Sequence, residues 1–366
     1  MKRIGMLTFH RAINNGAVLQ AYALARAFNS MECDAKYIDY TAERITKDYY
    51  ITPLFKRRSI KSIGVYFLFD LNIAATHEKF HNFVNTNIPI GECDQNDIKT
   101  ICNNYDAFVS GGDQIWNLNL TGHDTKYYLD FIDSTEKYSY GTSFGTTVFS
   151  DNDKELIKTC LGKYKQLNVR EDSAKLFIES IVNCECNVVP DPVFLLSRTD
   201  WIQQLNLTES LCKRKYILFF ELHENKKMRE QALLLAKEKH CKIVRITNDF
   251  FRLPGMKNVK RTGPLEFLNY ILNAEVVVTD SFHAAAFSLI FNRPLYIGLK
   301  EGEFAYLNTR IESLVNTYKI YDQIISNRFR ESDIDYNEVN RILLKEQKRG
   351  ITILEGIVNN IQNENK

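Results

Sequence analysis

The sequence lacks most features that mark a membrane, secreted or nucleic-acid-binding protein. No run of about 18 apolar residues occurs, so no transmembrane helix is predicted. The apolar run at residues 4–9 is too short for a signal peptide. The net charge is only +2, and no basic stripe interleaved with aromatic residues accompanies it. We therefore expect a cytoplasmic protein without a nucleic-acid partner.

Cysteine and histidine are present, but they are not grouped for metal binding. The eight cysteines are dispersed, and Cys184 and Cys186 lack the second pair that a zinc site needs. His77 and His81 stand four residues apart on a predicted helix without a third ligand nearby. The loop after the first predicted strand lacks the spacing of a dinucleotide fingerprint. We expect neither a metal nor a bound cofactor.

What the sequence does contain is a regular alternation of β-branched runs and amphipathic stretches. Strands are predicted at 2–8, 35–39, 105–110, 136–141, 165–169, 215–220, 241–246, 275–279 and 294–298. Helices are predicted at 16–29, 74–86, 152–163, 172–181, 225–239, 264–273, 281–291 and 304–317. Such alternation is typical of an α/β fold in which helices flank parallel sheets.

The length of 366 residues predicts two domains. We assign residues 1–165 to the first domain, with a helical insertion at 42–90, and residues 166–325 to the second. Residues 326–366 are predicted to form a long helix, interrupted near Gly350, that packs back on the first domain.

Part of the insertion, residues 54–69, interleaves basic with large apolar side chains. One interpretation is an interfacial helix that contacts anionic lipid at the inner face of the cytoplasmic membrane. The other is a helix that lies on its own domain.

Polar residues at strand exits are the site candidates, because ligands of open parallel sheets bind beyond the carboxyl ends of the strands. In the first half of the chain these residues are His10, Asn14, Asn15, Asp113, Gln114, Trp116 and Ser143. Proteins bind sugars through bidentate hydrogen bonds and a flat apolar ring. The side chains that offer these groups are Asp113, Gln114 and Trp116. The alternatives are structural turns and, for Trp116, a place in the core.

In the second half, the segment 279–284 joins a β-branched run to an apolar helical run. Asp280 or Ser281 suits the N-cap, which leaves His283 in the first turn, where free N–H groups and the helix dipole favour an anion. Gly263, before a proline at the start of a helix, has a similar potential to expose backbone donors. Arg170 stands at a strand end and either clamps a carboxylate or phosphate or pairs with an acidic neighbour.

Several motifs together make the chain resemble the bacterial polysaccharide pyruvyl transferase family. They are Asn15-Gly16-Ala17-Val18-Leu19-Gln20, Gly111-Gly112-Asp113-Gln114-Ile115-Trp116, Tyr140-Gly141-Thr142-Ser143-Phe144-Gly145, Val169-Arg170-Glu171 and Thr279-Asp280-Ser281-Phe282-His283. The resemblance extends from residue 1 to about residue 320. It implies two Rossmann-like domains facing across a cleft, as in GT-B glycosyltransferases.

The resemblance also implies a reaction, the transfer of a pyruvyl group from phosphoenolpyruvate to a sugar diol of a surface polysaccharide or its lipid-linked precursor. The products are a cyclic pyruvate ketal and phosphate. By position in the motifs, Arg170 and His283 hold phosphoenolpyruvate. Many relatives carry arginine where this chain has Ser281, and glycine where it has Ala284. Arg310 and Lys260 are our candidates for the missing cation.

We expect His283 to act as the general acid and Asp113 to orient or deprotonate the acceptor. Donor binding is assigned to Arg170, Asp280, Ser281, Gly263, Arg310 and Lys260. Acceptor binding is assigned to His10, Asn14, Asn15, Gln114, Trp116 and Ser143. Two alternatives stay open: a nucleotide-sugar glycosyltransferase of the same architecture, and a non-catalytic glycan-binding subunit of a polysaccharide assembly system.

Overall fold

The computed structural model describes residues 1–42, 44–45, 71–93, 97–133, 136–146, 148–209, 215–248, 252–302, 305, 308–325 and 333–363. The segment 54–69, for which membrane contact was one interpretation, lies outside them. By its contacts the chain divides into two compact units. Unit 1 comprises Met1–Tyr50, Val84–Leu196 and Lys345–Lys366, and unit 2 comprises Ile51–Phe83 and Ser197–Leu344.

The strands of unit 1 are β1 (Arg3–Leu7), β2 (Asp34–Ile38), β3 (Ile90–Gly91), β4 (Ala107–Gly111), β5 (Lys137–Tyr140), β6 (Leu167–Val169) and β7 (Cys186–Val188). Its helices include α1 (Asn15–Asn29), α3 (Leu118–Thr121), α4 (Asp151–Leu161) and α5 (Asp172–Ile181). Two further helices, α2 (Leu71–Asn87) and α11 (Tyr336–Asn363), contribute residues to both units.

The strands of unit 2 are β8 (Tyr216–Phe220), β9 (Lys242–Ile246), β10 (Met256–Val259), β11 (Val276–Thr279) and β12 (Leu295–Ile297). Its helices include α6 (Arg198–Gln204), α7 (Lys226–Glu238), α8 (Pro264–Leu272), α9 (Phe282–Ile290) and α10 (Thr309–Tyr318). Each strand and helix predicted from periodicity in these two units is therefore confirmed, with small shifts at the ends.

Each unit contains one five-stranded sheet, and the two sheets have the same strand order. The order is β3-β2-β1-β4-β5 in unit 1 and β10-β9-β8-β11-β12 in unit 2, and all pairs are parallel. The inner strand β11, between β8 and β12, is completely buried and consists of three valines and a threonine. Such an apolar run is expected where helices cover a parallel sheet. The predicted α/β class with helices flanking parallel sheets is confirmed.

Strands β6 and β7 extend unit 1 and correct the predicted domain boundary. They pair with each other, and bridges from Tyr138 to Gln166 and from Thr142 to Val169 place β6 beside β5. The boundary predicted at residue 165 is therefore wrong, because residues 166–196 share the contacts of the first unit. Arg170, assigned to the second domain from the sequence, belongs to unit 1.

Helix α11 corrects a second prediction, the interruption near Gly350. The helix is continuous from Tyr336 to Asn363, and its part from Lys345 onward belongs to unit 1, as predicted. A Cβ atom at residue 350 would lie 2.5 Å from the Tyr140 hydroxyl and 2.7 Å from Leu195 Cδ2. Gly350 therefore allows close packing against Tyr140 and Leu195, and the helix is not interrupted there. Among the described residues, no helix is long and apolar enough to cross a membrane.

Candidate functional site

In unit 1, polar side chains gather at the carboxyl ends of β4 and β6 around Arg170. The guanidinium contacts three carboxylates, with 2.8 Å from Nη1 to Asp191 Oδ2, 2.8 Å from Nη2 to Asp113 Oδ1 and 2.8 Å from Nη2 to Glu171 Oε1. The Arg170 side chain is only 5% exposed. We call Gln20, Asp113, Arg170, Glu171 and Asp191 the Arg170 cluster.

Gln20, from the buried face of α1, holds the cluster together. Its side-chain amide donates to Asp191 Oδ2, and its carbonyl accepts from the backbone N–H of Asp113 at 3.0 Å. Asp113 reaches this position because Gly112 adopts φ 123° and packs so closely on Thr8 that a side chain would clash. Sequence reasoning missed Gln20 and Asp191, although Gln20 lies within one of the family motifs.

The charge of the Arg170 cluster bears on the predicted role of Arg170. Burial alone would lower the pKa of Arg170, but the charges of Asp113, Glu171 and Asp191 outweigh it and raise the pKa well above its ordinary value. Three carboxylates around one guanidinium leave a formal charge of about −2. An anionic donor would meet net repulsion there. Of the two interpretations of Arg170, the structure shows the pairing with acidic neighbours.

His10 lies in the interior of unit 1, where its two ring nitrogens face acceptors. Nδ1 is 3.2 Å from the Thr8 carbonyl oxygen and Nε2 is 3.2 Å from Asp39 Oδ1. Arg11 binds the same carboxylate through Nε at 2.6 Å, and the hydrogen bonds from Arg11 and then from His10 hold the pKa of Asp39 well below its usual range. The prediction that His10 contacts the sugar acceptor is wrong, because the ring is 0% exposed.

Trp116 corrects a further prediction. The indole is 0% exposed, its N–H donates to Ser110 Oγ at 3.1 Å, and it stacks on Tyr128 with ring centroids 5.5 Å apart. It is therefore a core residue and not an apolar plate for a sugar. Ser143 is also buried, and its Oγ accepts from the backbone N–H of Gly145 at 3.2 Å.

Three residues predicted to bind the sugar acceptor lie nearer the surface. Asn14 is the exposed N-cap of α1 and accepts from the Ala17 N–H at 3.3 Å, and Asn15 is half-buried in the first turn. Gln114 adopts φ 52°, and its carbonyl accepts from Asn117 Nδ2 at 3.1 Å. Their contact with an acceptor stays a prediction.

In unit 2, Asp280 connects the exits of three neighbouring strands, β8, β11 and β12. It is 0% exposed. Its Oδ1 accepts from the Leu222 N–H at 2.6 Å, and its Oδ2 accepts from the His223 N–H at 3.1 Å. The imidazole Nδ1 of His223 lies 3.5 Å from Oδ2. The aspartate predicted as a helix cap is therefore a buried anion that fixes the loop after β8.

Lys300 supplies the cation beside Asp280, at the exit of β12. Its Nζ donates to the Asp280 carbonyl oxygen at 2.7 Å and lies 3.6 Å from Asp280 Oδ2. Asn308 fixes the backbone of Lys300 through two hydrogen bonds, at 2.9 and 2.8 Å. Burial lowers the pKa of Lys300, and the charge of Asp280 opposes this shift only in part.

These groups line a pocket of about 380 Å³ at the carboxyl ends of the strands. The described residues in its walls are His223, Glu224, Asn225, Lys226, Lys227, Asp280, Lys300 and Glu301, and we call this the Asp280 pocket. The first turn of α7 forms part of the pocket wall. The Asn225 side chain caps this helix and holds it near β12 by donating to the Leu299 carbonyl at 3.0 Å. Gly298 lets α7 approach, since a Cβ there would clash with Met228. Its volume is that of a small-molecule site.

Ser281 and His283 follow the pocket residue Asp280 in the sequence and stand at the start of α9. Ser281 is the N-cap and accepts from the Ala284 N–H at 3.4 Å, and His283 is 7% exposed in the first turn. The predicted turn from strand to capped helix is thus confirmed.

The other residues predicted to bind the phosphoenolpyruvate donor are Gly263, Arg310 and Lys260. The Gly263 N–H donates to Glu266 Oε2 at 3.0 Å, so this predicted backbone donor is already satisfied within its own helix cap. Arg310, in the first turn of α10, is close enough to Lys300 to lower the pKa of that lysine further. Lys260 follows β10 and is half-buried.

The sequence model of the polysaccharide pyruvyl transferase family matches residues 14–297. The chain belongs to this family. The match begins at the N-cap of α1 and ends at the last residue of β12, so it contains the whole Arg170 cluster but stops before Lys300. Membership makes the protein a transferase of polysaccharide biosynthesis and confirms the resemblance. A comparison with curated proteins gave no match.

Among solved structures, the chain is similar to nucleotide-sugar enzymes at low identity. The UDP-GlcNAc 2-epimerase from Neisseria meningitidis bound to UDP-GlcNAc is 11% identical, with 100% of both chains covered and a TM-score of 0.49. That from Methanocaldococcus jannaschii is 12% identical, with 95% and 93% covered and a TM-score of 0.47. The E. coli heptosyltransferase WaaC with ADP is 10% identical, with 94% and 99% covered and a TM-score of 0.40. Likeness of this degree carries no argument about function.

Proposed function

We propose that the protein transfers a pyruvyl group from phosphoenolpyruvate to two hydroxyls of a sugar in a surface polysaccharide or its lipid-linked precursor, and so forms a cyclic ketal. The observation that carries the proposal is the family match over residues 14–297. The donor is a small anion with a carboxylate and a phosphate, and the Asp280 pocket supports its binding in unit 2. The sugar is neutral, and the carboxylates of the Arg170 cluster suit its hydroxyls.

The chemistry begins with a proton transfer to carbon. The methylene carbon of phosphoenolpyruvate gains a proton, and the adjacent carbon becomes an oxocarbenium centre. One sugar hydroxyl attacks this centre and loses its proton. The C–O bond to phosphate then breaks, and the second hydroxyl attacks and also loses its proton. Of the two protons released, one balances the proton taken up by carbon and the other leaves with phosphate or solvent.

We assign the first proton transfer to His283. An imidazole is a suitable acid near neutral pH, and general acid catalysis contributes about 10²- to 10⁴-fold. The histidine sits in the first turn of α9, where the helix N-terminus favours the negative charge of the donor. Asp113 belongs to unit 1, and its part in orienting or deprotonating the acceptor stays a prediction.

The test is phosphate release from phosphoenolpyruvate in the presence of glucosides and galactosides with free 4- and 6-hydroxyls. Product mass should increase by one ketal-linked pyruvate per phosphate released. His283→Asn should lower the rate by about 100-fold or more, whereas His81→Asn, on the exposed side of α2, serves as the matched control. Stabilisation of the protein by UDP-sugars but not by phosphoenolpyruvate, without phosphate release, would replace this function with glycosyl transfer. Glycan binding without any turnover would replace it with a binding role.

A further inference from the structure

Asp191 lies at the centre of the Arg170 cluster, and its two carboxylate oxygens have different partners. The side chain is 1% exposed and precedes a short 3-10 helix, Pro192–Leu195. Oδ1 accepts from the Val193 N–H at 3.0 Å and so caps this helix. Oδ2 accepts from Arg170 Nη1 at 2.8 Å and from the side-chain amide of Gln20. The carboxylate therefore joins the loop after β7 to α1 and to the exit of β6.

Both partners of Asp191 Oδ2 also bind Asp113, one at its side chain and one at its backbone. Arg170 Nη2 donates to Asp113 Oδ1 at 2.8 Å. Gln20 Oε1 accepts from the Asp113 N–H at 3.0 Å. Asp113 is thus held at two points, and both holds begin at one buried oxygen atom. The Asp113 side chain is 16% exposed and can meet a substrate, whereas Asp191, at 1%, is too deeply buried to do so.

Only an ionised carboxylate at residue 191 satisfies all three of its donors, because it offers acceptors on both oxygens. Asparagine would offer one acceptor oxygen and one NH2 group. In either orientation the NH2 group would face an N–H donor, that of Val193 or those of Arg170 and Gln20. A flip of the Gln20 amide would only move the conflict to the Asp113 N–H. The ring of hydrogen bonds therefore depends on the charge of Asp191.

We propose that Asp191 is a positioning residue for the acceptor step of the reaction. Through Arg170 and Gln20 it fixes the Asp113 carboxylate in the orientation that meets a sugar hydroxyl. The inference rests on the proposed function, in which Asp113 orients or deprotonates the acceptor. A base must lie within about 2.6–3.2 Å of the hydroxyl it deprotonates, and a displacement of about 1 Å costs up to about 100-fold in rate. The effect of Asp191 should therefore appear in turnover and not in the KM for phosphoenolpyruvate.

The test compares the steady-state kinetics of Asp191→Asn with those of the double variant Asp191→Asn/Gln20→Glu. The single variant should lower kcat by about 10- to 100-fold and leave the KM for phosphoenolpyruvate within about two-fold of wild type. In the double variant the NH2 group of residue 191 donates to the new carboxylate, whose other oxygen accepts from the Asp113 N–H. One arm of the ring is then restored with its polarity reversed, so kcat should recover most of the loss. Asp133→Asn, at an exposed position of unit 1, is the matched control and should change neither constant.

Three kinetic outcomes would overturn the inference even if the wild type forms ketals. The first is an unchanged kcat in a folded Asp191→Asn. The second is a lowered kcat that the double variant does not recover, since Asp191 would then act through stability alone. The third is a raised KM for phosphoenolpyruvate at unchanged kcat, since Asp191 would then serve the donor.

Crystal structures separate the inference from the proposed function. If the wild type forms no ketal, the reaction is rejected, and the position of the Asp113 carboxylate decides on Asp191. The carboxylate should move by about 1 Å in Asp191→Asn and return in the double variant, whereas an unmoved carboxylate would overturn the inference. If Asp191→Asn does not fold, Gln20→Leu, which breaks one arm of the ring, takes its place in the kinetics and in the crystals.

Discussion

The two units have sheets of the same strand order, yet the charges at their carboxyl ends differ, since carboxylates outnumber the cation in the Arg170 cluster and balance the lysines in the Asp280 pocket. In unit 1 a buried guanidinium is surrounded by the carboxylates of Asp113, Glu171 and Asp191. In unit 2 a buried carboxylate, Asp280, is surrounded by two backbone N–H groups and the ammonium of Lys300. The same topology therefore offers an edge with excess negative charge in one unit and an edge of balanced charge in the other.

This difference shows that strand order fixes where a site forms but not which ligand it accepts. Side chains from the loops set the sign of the charge, and the sign selects the ligand. An edge with excess negative charge repels a phosphate, and an edge of balanced charge does not. The following predictions test this contrast, from the largest expected effect to the smallest.

Removal of the central cation in unit 1 should have the largest effect. Arg170→Met leaves three carboxylates close together, two of them nearly buried, and should lower the free energy of unfolding by about 3–5 kcal/mol. Urea denaturation measures this loss. Adding Asp191→Asn to the same variant should recover part of it, because one of the repelling charges is removed. If the single variant is as stable as wild type, the carboxylates do not depend on Arg170.

The mirror-image substitution in unit 2 should cost less. Asp280→Asn removes the counter-ion of Lys300 and one strong acceptor, for an expected loss of about 2–3 kcal/mol in urea denaturation. The loss is smaller because Lys300, unlike an arginine, is able to release its proton when it loses its partner. Asp322→Asn, at an exposed position, is the control and should stay within about 0.5 kcal/mol of wild type. If Asp280→Asn and Asp322→Asn lower the free energy of unfolding equally, the contacts of Asp280 do not stabilise the fold.

Gln20 tests whether the Arg170 cluster needs its neutral member. Gln20→Leu removes the acceptor of the Asp113 N–H and one of the two donors to Asp191 Oδ2, the other being Arg170, which should cost about 1–2 kcal/mol of stability. The same change should reduce turnover with a sugar acceptor more than it raises the KM for phosphoenolpyruvate. A rise in that KM with unchanged turnover would instead indicate that the cluster binds the donor.

The smallest effect concerns pH and sharpens the role of Lys300. A phosphate ligand needs the protonated ammonium, and burial lowers the pKa of this lysine. Affinity for phosphoenolpyruvate should therefore fall as pH rises through a value below the ordinary lysine pKa of about 10.4. Lys300→Arg should retain its affinity to higher pH, because arginine stays charged. Titrations of wild type and Lys300→Arg across the alkaline range measure this difference, and identical profiles would show that donor affinity does not depend on the charge of residue 300.

Periodicity in the sequence was enough to predict the longer elements. The apolar runs of β1 and β11 and the amphipathic patterns of α1 and α7 correspond to single elements within one or two residues. Strands β3, β7 and β10 were missed, because none of them has the unbroken run of apolar residues that marks the equally short β11 and β12. Missing β7 hid the pairing of β6 with β7 and displaced the domain boundary.

The chemistry of the site was less predictable, because it depends on burial. Trp116 and His10 have the side chains of a sugar-binding loop, but the fold turns both into the interior. Lys300 was missed although it follows a correctly predicted strand, 294–298. The same reading of strand exits that selected Asp113 and Asp280 would have found it. What the sequence does not show is that Lys300 is buried and faces Asp280.

The packing of Gly350 against Tyr140, Leu195 and Pro190 has a consequence for synthesis of the chain. Unit 1 is assembled from segments far apart in the sequence, since residues from Lys345 onward share a unit with residues 1–50 and 84–196. A ribosome must therefore synthesise residues 345 onward before the first sheet acquires this covering. Until then the earlier segments of unit 1 expose apolar surface, so a premature stop before residue 345 should leave a chain that depends on chaperones and is prone to aggregation.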